Sequence, residues 1–176
     1  MAYEGDIPNR VLGWVTSEEP DWDAVYREQL PRVYNFFRYR FGDDAVAEDL
    51  TSRTFEKAWA ARRRYRRDVA GFATWLLSIA RNVATDHLRA QRRQVPLEYA
   101  EDVISEGTPE EEHSQRSDLV RLSTLIEALP KREQELIALK YGAGATNRDI
   151  AGLTGLSESN VGSILHRAVK ALRRQW

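Results

Sequence analysis

The sequence predicts an all-α chain, built as two small helical domains joined by an acidic, flexible linker. Three observations carry this: apolar residues recur at helical spacings in both halves, no segment alternates as a strand does, and charge is segregated along the chain. With 176 residues, 42% hydrophobic and 30% charged, the chain can fill one ordinary core or two small ones and is too short for a large multidomain enzyme. Net charge is −3 over residues 1–20, +5 over 21–93, −7 over 94–118 and +4 over 119–176. Two basic blocks flanking an acidic connector imply a polyanionic partner for the blocks.

Residues 1–22, with Trp14 and Trp22, precede the helical pattern and form an N-terminal extension, either disordered or laid over an apolar groove. The first domain covers 23–93. Its first helix, about 23–41, sets Val25, Leu30, Val33, Phe37 and Phe41 near one side, with Pro31 predicting a kink or a restart. A second helix, about 44–61, carries Val46, Leu50, Thr54 and Ala58, with Phe55 and Trp59 beside them. A third, about 70–92, places Phe72, Leu76, Ile79 and Val83 at spacings of four, three and four, the period of a buried helix face.

Residues 94–118 hold Pro96, Gly107, Pro109 and seven acidic side chains before Ser114, with little apolar periodicity, and read as a linker. As a flexible coil its 25 residues span about 28 Å root-mean-square. The second domain, 119–176, opens with Leu119, Leu122, Ile126 and Leu129, stops at Pro130, and resumes with Leu136, Ile137 and Leu139 as far as Gly142 and Gly144. Two helices follow, about 146–153 and 157–173. The last has Val161, Leu165, Ala168 and Leu172 as its apolar stripe and Ser157 as N-cap.

Several function classes drop out. There are no cysteines and three scattered histidines, which disfavours disulfides, thiolate zinc and histidine metal sites. No phosphate-binding glycine loop, HExxH or nucleophile elbow is present, so no catalytic residue, metal or cofactor is expected. Without a signal peptide or an 18-residue apolar run, the chain is expected to be cytoplasmic and not inserted in a membrane. Each apolar stripe has an internal use, which predicts a monomer.

Three constellations remain. Ile150, Ala151, Gly155, Val161 and Ile164 fit a helix-turn-helix, in which Ala151 lets the helices approach, Gly155 turns the chain, and Val161 with Ile164 locks the second helix. The exposed face of that helix offers Ser159, Asn160, Ser163, His166, Arg167 and Lys170 beside Glu158. Asn82, Asp86, Arg89 and Arg93 share the non-core face of helix 70–92 with Trp75, and the run Arg62, Arg63, Arg64, Tyr65, Arg66, Arg67 precedes it. Cations for phosphates beside aromatic faces for unstacked bases suit single-stranded nucleic acid, although an arginine run alone is commonly a solvated patch. Third, Asp43, Asp44, Glu48 and Asp49 open the second helix: taken alone they complement its dipole, and the alternative is a docking face for a basic partner helix.

Taken together, DDAVAEDLTSRTFEKAW, FATWLLSIARNVATDHLRAQRR and LPKREQELIALKYGAGATNRDIAGLTGLSESNVGSILHRAVKALRR resemble an extracytoplasmic-function sigma factor of the sigma-70 family, over roughly residues 24–174. The resemblance implies a non-enzymatic subunit of bacterial core RNA polymerase that reads promoter DNA, duplex at the −35 element and single-stranded at the −10 element. It implies polymerase docking through Asp44, Glu48, Asp49, Leu50, Thr54 and Phe55. The −10 strand would meet Arg62, Arg63, Arg64, Tyr65, Arg66, Arg67, Trp75, Asn82, Asp86, Arg89, Arg92 and Arg93. The −35 duplex would meet Ser157, Ser159, Asn160, Ser163, His166, Arg167 and Lys170, while the linker would thread toward the RNA exit path. It also implies an anti-sigma factor as regulator. Gly162, Ile164 and Val169 depart from the family pattern, in which basic residues often occupy these positions of the recognition helix. A free-standing helix-turn-helix regulator would explain residues 119–176 but neither the acidic helix, the WLLSIARN helix nor the linker.

Overall fold

In the computed structural model, which describes residues 21–94 and 113–176, seven α-helices follow one another: α1 (Trp22–Phe41), α2 (Asp44–Ala61), α3 (Phe72–Gln94), α4 (His113–Glu127), α5 (Lys131–Ile137), α6 (Asn147–Thr154) and α7 (Glu158–Gln175). A 3-10 turn, Arg62–Arg64, follows α2, and a π-helical turn, Ala138–Gly142, extends α5. The all-α class expected from the sequence is what the described residues adopt. Trp14 and most of the acidic linker lie outside them.

Local chemistry sets the boundaries. Asp21 caps α1 by accepting from the amides of Asp23 and Ala24, and Gly42 at φ 68° closes it in the left-handed conformation that glycine adopts without penalty. Asp43 caps α2 at Val46 N, and Ser157 caps α7 at Asn160 N. Pro31 does not break α1, which runs through it without the expected restart. Pro31 and Arg27 are both exposed, so the Arg27 carbonyl deprived of its helical partner stays hydrated, while Val33, Phe36 and Phe37 beyond the proline are buried and keep the segment helical.

The first three helices bury the predicted Val33, Phe37, Leu50, Thr54, Ala58, Leu76 and Val83, together with Phe36, which the sequence pattern passes over. The last four, with the π turn, bury Ile126, Leu136, Leu139, Ile150, Val161, Leu165 and Ala168. These two sets are not separate cores: they form a single cluster. The π turn lies along α1 so closely that a β-carbon on Gly142 would stand 2.6 Å from the Asn35 carbonyl oxygen. Arg32 Nε donates to the Ala143 carbonyl at 2.8 Å, and Arg81 of α3 joins Glu135 of α5 at 2.9 Å while also reaching the Leu153 carbonyl. Arg40, also on α1, has its Nε and Nη1 buried without a partner among the described residues. Burial pushes its guanidinium below the ordinary value, Glu135 pulls it back up and Arg81 lowers it further.

A capping box starts α6. Thr146 Oγ1 accepts from Asp149 N at 3.1 Å, the Asp149 carboxylate accepts from Thr146 N at 3.0 Å, and across the interface Thr74 Oγ1 donates to Asp149 at 3.3 Å. The Thr146 hydroxyl bond, chiefly, holds the Asp149 carboxyl below its ordinary 3.8 against the opposing effect of burial. A carboxyl depressed in the folded state adds stability above its unfolded pKa and loses it as pH falls through the lower, folded one. The stability difference between the wild type and Asp149→Asn, measured by urea unfolding, is therefore expected to be about 1 kcal/mol at neutral pH and to shrink below about pH 4. A difference that is constant down to pH 2 would contradict this.

Candidate nucleic-acid and docking surfaces

The exposed flank of α2 carries the acidic side chains. Asp44 pairs with Arg38 and accepts a 2.8 Å hydrogen bond from the Tyr34 hydroxyl, Asp49 pairs with Arg53 one turn on at 2.9 Å, and Glu48 is exposed with Asp49. Burial, followed by the Asp44 hydrogen bond, raises the Tyr34 phenol above its ordinary value. Leu50 and Thr54 are 0% exposed and Phe55 is 9% exposed, so of the six residues expected to serve docking these three lie beneath the exposed flank. Their side chains point into the helical core, where Thr54 Oγ1 donates to the Leu50 carbonyl at 2.7 Å. They set the angle of the acidic flank from beneath and offer a partner almost no surface.

The basic loop joins α2 to α3. Arg63 and Arg64 project from the 3-10 turn, and Arg67 is exposed beside them. Arg66 is tied to Asp68 by two contacts, Nε at 3.3 Å and Nη2 at 2.7 Å, which leaves it less free to meet a phosphate. Tyr65 is half-buried: its ring meets Phe72 at 5.2 Å and Trp75 at 5.1 Å, and its hydroxyl donates to the Ala70 carbonyl at 3.3 Å. Trp75 is thus one wall of an aromatic group that shapes the loop. Beyond it on α3, Asn82, Asp86, Arg89, Arg92 and Arg93 are exposed, with Asp86 between Lys57 at 3.3 Å and Arg89 at 3.9 Å. Among the described residues the Asn82 side chain makes no hydrogen bond, so its amide offers both a donor and an acceptor.

The third surface is α7. Val161, Ile164, Leu165 and Ala168 are buried, while Ser159, Asn160, Ser163, His166, Arg167 and Lys170 are exposed along the opposite side. Ser157 is also exposed, with its oxygen occupied by the Asn160 amide. Gly155 at φ 73° turns the chain between α6 and α7, as the helix-turn-helix spacing requires. Ile164 is core and Val169 half-buried, so apolar residues at these two positions take nothing from the exposed face.

Among the described residues no group of three or more His, Cys, Asp or Glu side chains could hold a metal, and no helix is long and apolar enough to cross a membrane. Sequence reasoning missed Trp59, which is 50% exposed beneath the Arg62 guanidinium, and the whole seam between the two halves. Neither follows from periodicity, which describes one helix at a time.

The model named Sigma-70 region 2 matches residues 25–94, and the model named Sigma-70, region 4 matches residues 119–172. The ECF RNA polymerase sigma factor BldN of Streptomyces coelicolor is 29% identical over 160 residues, covering 89% of this chain and 61% of BldN. The ECF RNA polymerase sigma factor SigL of Mycobacterium tuberculosis is 28% identical over 165 residues, covering 93% of each chain. In fold, the chain resembles the sigma factor RpoE crystallised with the anti-sigma factor NepR from Bartonella quintana, with TM-score 0.69, 23% identity, and coverage of 88% of this chain and 96% of that one.

Proposed function

Because the chain belongs to the extracytoplasmic-function branch of the sigma-70 family, we propose that it binds bacterial core RNA polymerase and directs it to promoters. It acts in the cytoplasm as a monomer and without chemistry of its own. The domains divide the work: residues 23–93 dock on polymerase and hold the melted −10 strand, 94–118 link, and 119–176 read the −35 duplex, with 1–22 as an extension. One observation supports this above the others. A single chain carries two nucleic-acid surfaces of different kinds, a basic aromatic loop leading into α3 and a polar recognition helix α7.

Each surface suits its task physically. Arg63, Arg64, Arg67, Arg92 and Arg93 are exposed cations that neutralise phosphates, while the exposed Asn82 amide suits hydrogen bonding to an unpaired base and the half-buried Tyr65 ring suits stacking on one. Melting then requires no ATP, since the unstacked strand is stabilised by what binds it. On α7, Asn160, Ser163 and Arg167 face the major groove for base edges, and Lys170 faces a phosphate. The exposed carboxylates of Asp44, Glu48 and Asp49 form the polymerase-docking face, supported by Leu50, Thr54 and Phe55. An anti-sigma factor covering these faces is the expected regulator, in keeping with the NepR complex of the RpoE relative.

Run-off transcription by purified core polymerase, with and without this protein, tests the reading. Promoter-specific transcripts that need the protein support it, whereas direct duplex binding by the free chain without such transcripts would favour a free-standing regulator. Within the reading, Asn82→Ala is expected to reduce promoter opening about three- to tenfold, the worth of one or two hydrogen bonds, with core binding retained. Equal loss of both would refute the role given to Asn82.

A further inference from the structure

The α1–α2 seam ends in a ladder of four aromatic rings. Trp22 and Tyr26, one turn apart on α1, face Trp59 and Phe55, one turn apart on α2, at centroid distances of 5.2 and 4.7 Å. Trp22 also meets Phe72 edge-on at 5.6 Å, which makes the ladder continuous with the aromatic group beneath the basic loop. Trp59 is the rung that remains half open, 50% exposed, and the Arg62 guanidinium lies over its ring at 4.1 Å from the centroid. Arg62 Nη1 donates to the Trp59 carbonyl at 2.8 Å, whereas its Nε is buried without a partner among the described residues.

We propose that the Trp59 ring is a stacking platform for one unpaired base of single-stranded DNA, which takes the place of the Arg62 guanidinium on the indole while Arg62 turns to the neighbouring phosphate. A guanidinium is planar and lies on an indole face as a base does, so the ring, packed nearly perpendicular to Trp22, is already held in a pose that accepts a flat group. Charge selects the occupant. Trp59 stands where the acidic flank of α2 gives way to Arg62, Arg63 and Arg64, and a basic docking helix fitted to the first is repelled by the second, whereas a polyanion is drawn to it. Stacking on an aromatic side chain is tolerant of base identity, so the platform adds affinity for the melted strand more than selectivity.

The inference rests on the promoter reading above, and its test separates the two. Holoenzyme reconstituted with this protein is bound to a fork-junction fragment of a promoter found by run-off transcription, with 2-aminopurine placed at one unpaired position at a time. One position is expected to be quenched by stacking in the wild type, partly quenched in Trp59→Phe, and unquenched in Trp59→Leu, which keeps apolar bulk against Trp22 but has no ring. Fork affinity in Trp59→Leu should fall about 5- to 100-fold, with unchanged binding to core polymerase. A quenching profile that is the same in wild type and Trp59→Leu overturns the platform, and so does loss of core binding in that variant, which would make Trp59 a polymerase anchor. If the wild-type holoenzyme gives no promoter-specific transcript, the promoter reading fails and the platform falls with it.

Discussion

Gly142→Ala is expected to loosen the two halves of the molecule from each other while leaving each folded. The added methyl would lie 2.6 Å from the Asn35 carbonyl oxygen, 2.9 Å from its carbon and 3.1 Å from Phe36 N, all backbone atoms in the middle of α1 that cannot turn aside. Gly142 itself does not adopt a positive φ, so alanine suits it locally and even gains helix propensity. The conflict therefore falls on the seam. Overpacking of this kind costs about 1–3 kcal/mol, which weakens docking of the π turn on α1 about 5- to 150-fold. Small-angle scattering should show a larger radius of gyration, and native-state proteolysis should speed up between the halves. An unchanged scattering curve and unchanged urea midpoint would refute the expectation.

Exchanging Arg63, Arg64 and Arg67 together for glutamine is expected to flatten the salt dependence of single-strand binding. Each phosphate contact with a single strand adds about 0.7 to the slope of log affinity against log salt, so the triple variant should lose about 2 units of slope. Between 50 and 200 mM salt that amounts to about a 20-fold smaller change in affinity. Arg66→Gln alone should move the slope least, because Asp68 already holds that guanidinium through two contacts. The exposed Arg66–Asp68 pair stabilises the fold little. Fluorescence titration of the holoenzyme with fork-junction DNA over this salt range measures the slope, and parallel lines for wild type and triple variant would show that the loop meets no phosphates.

Much of the fold can be read along the chain because its signals are local. The four-three-four spacing in α3 and α7 marks the faces that bury Leu76, Val83, Val161 and Leu165, and Ser157 and Gly155 mark the ends where the structure has them. What the chain does not display are effects between elements. Pro31 reads as a break, but tertiary burial of Val33, Phe36 and Phe37 outweighs it. Leu50, Thr54 and Phe55 sit inside a motif whose neighbours are exposed, and only packing separates the side chains a partner can touch from those that support them. The closeness of Gly142 to Asn35 has no signature at all in either segment, since both are ordinary helical sequence until they meet.

The seam also carries a thermodynamic consequence for DNA binding. A folded chain of this length has a radius of gyration of about 16 Å, whereas the −10 and −35 elements lie about 25 base pairs apart, or roughly 85 Å along a duplex at about 3.4 Å per pair. On the proposed assignment, the α3 and α7 surfaces, joined through one core, cannot occupy both elements at once in this arrangement. The 18 residues between Gln94 and His113 reach about 60 Å when extended, which supplies most of the missing length once the halves part. Promoter affinity of the free chain is therefore scaled by the fraction that is open: every tenfold preference for the joined form divides it by about ten.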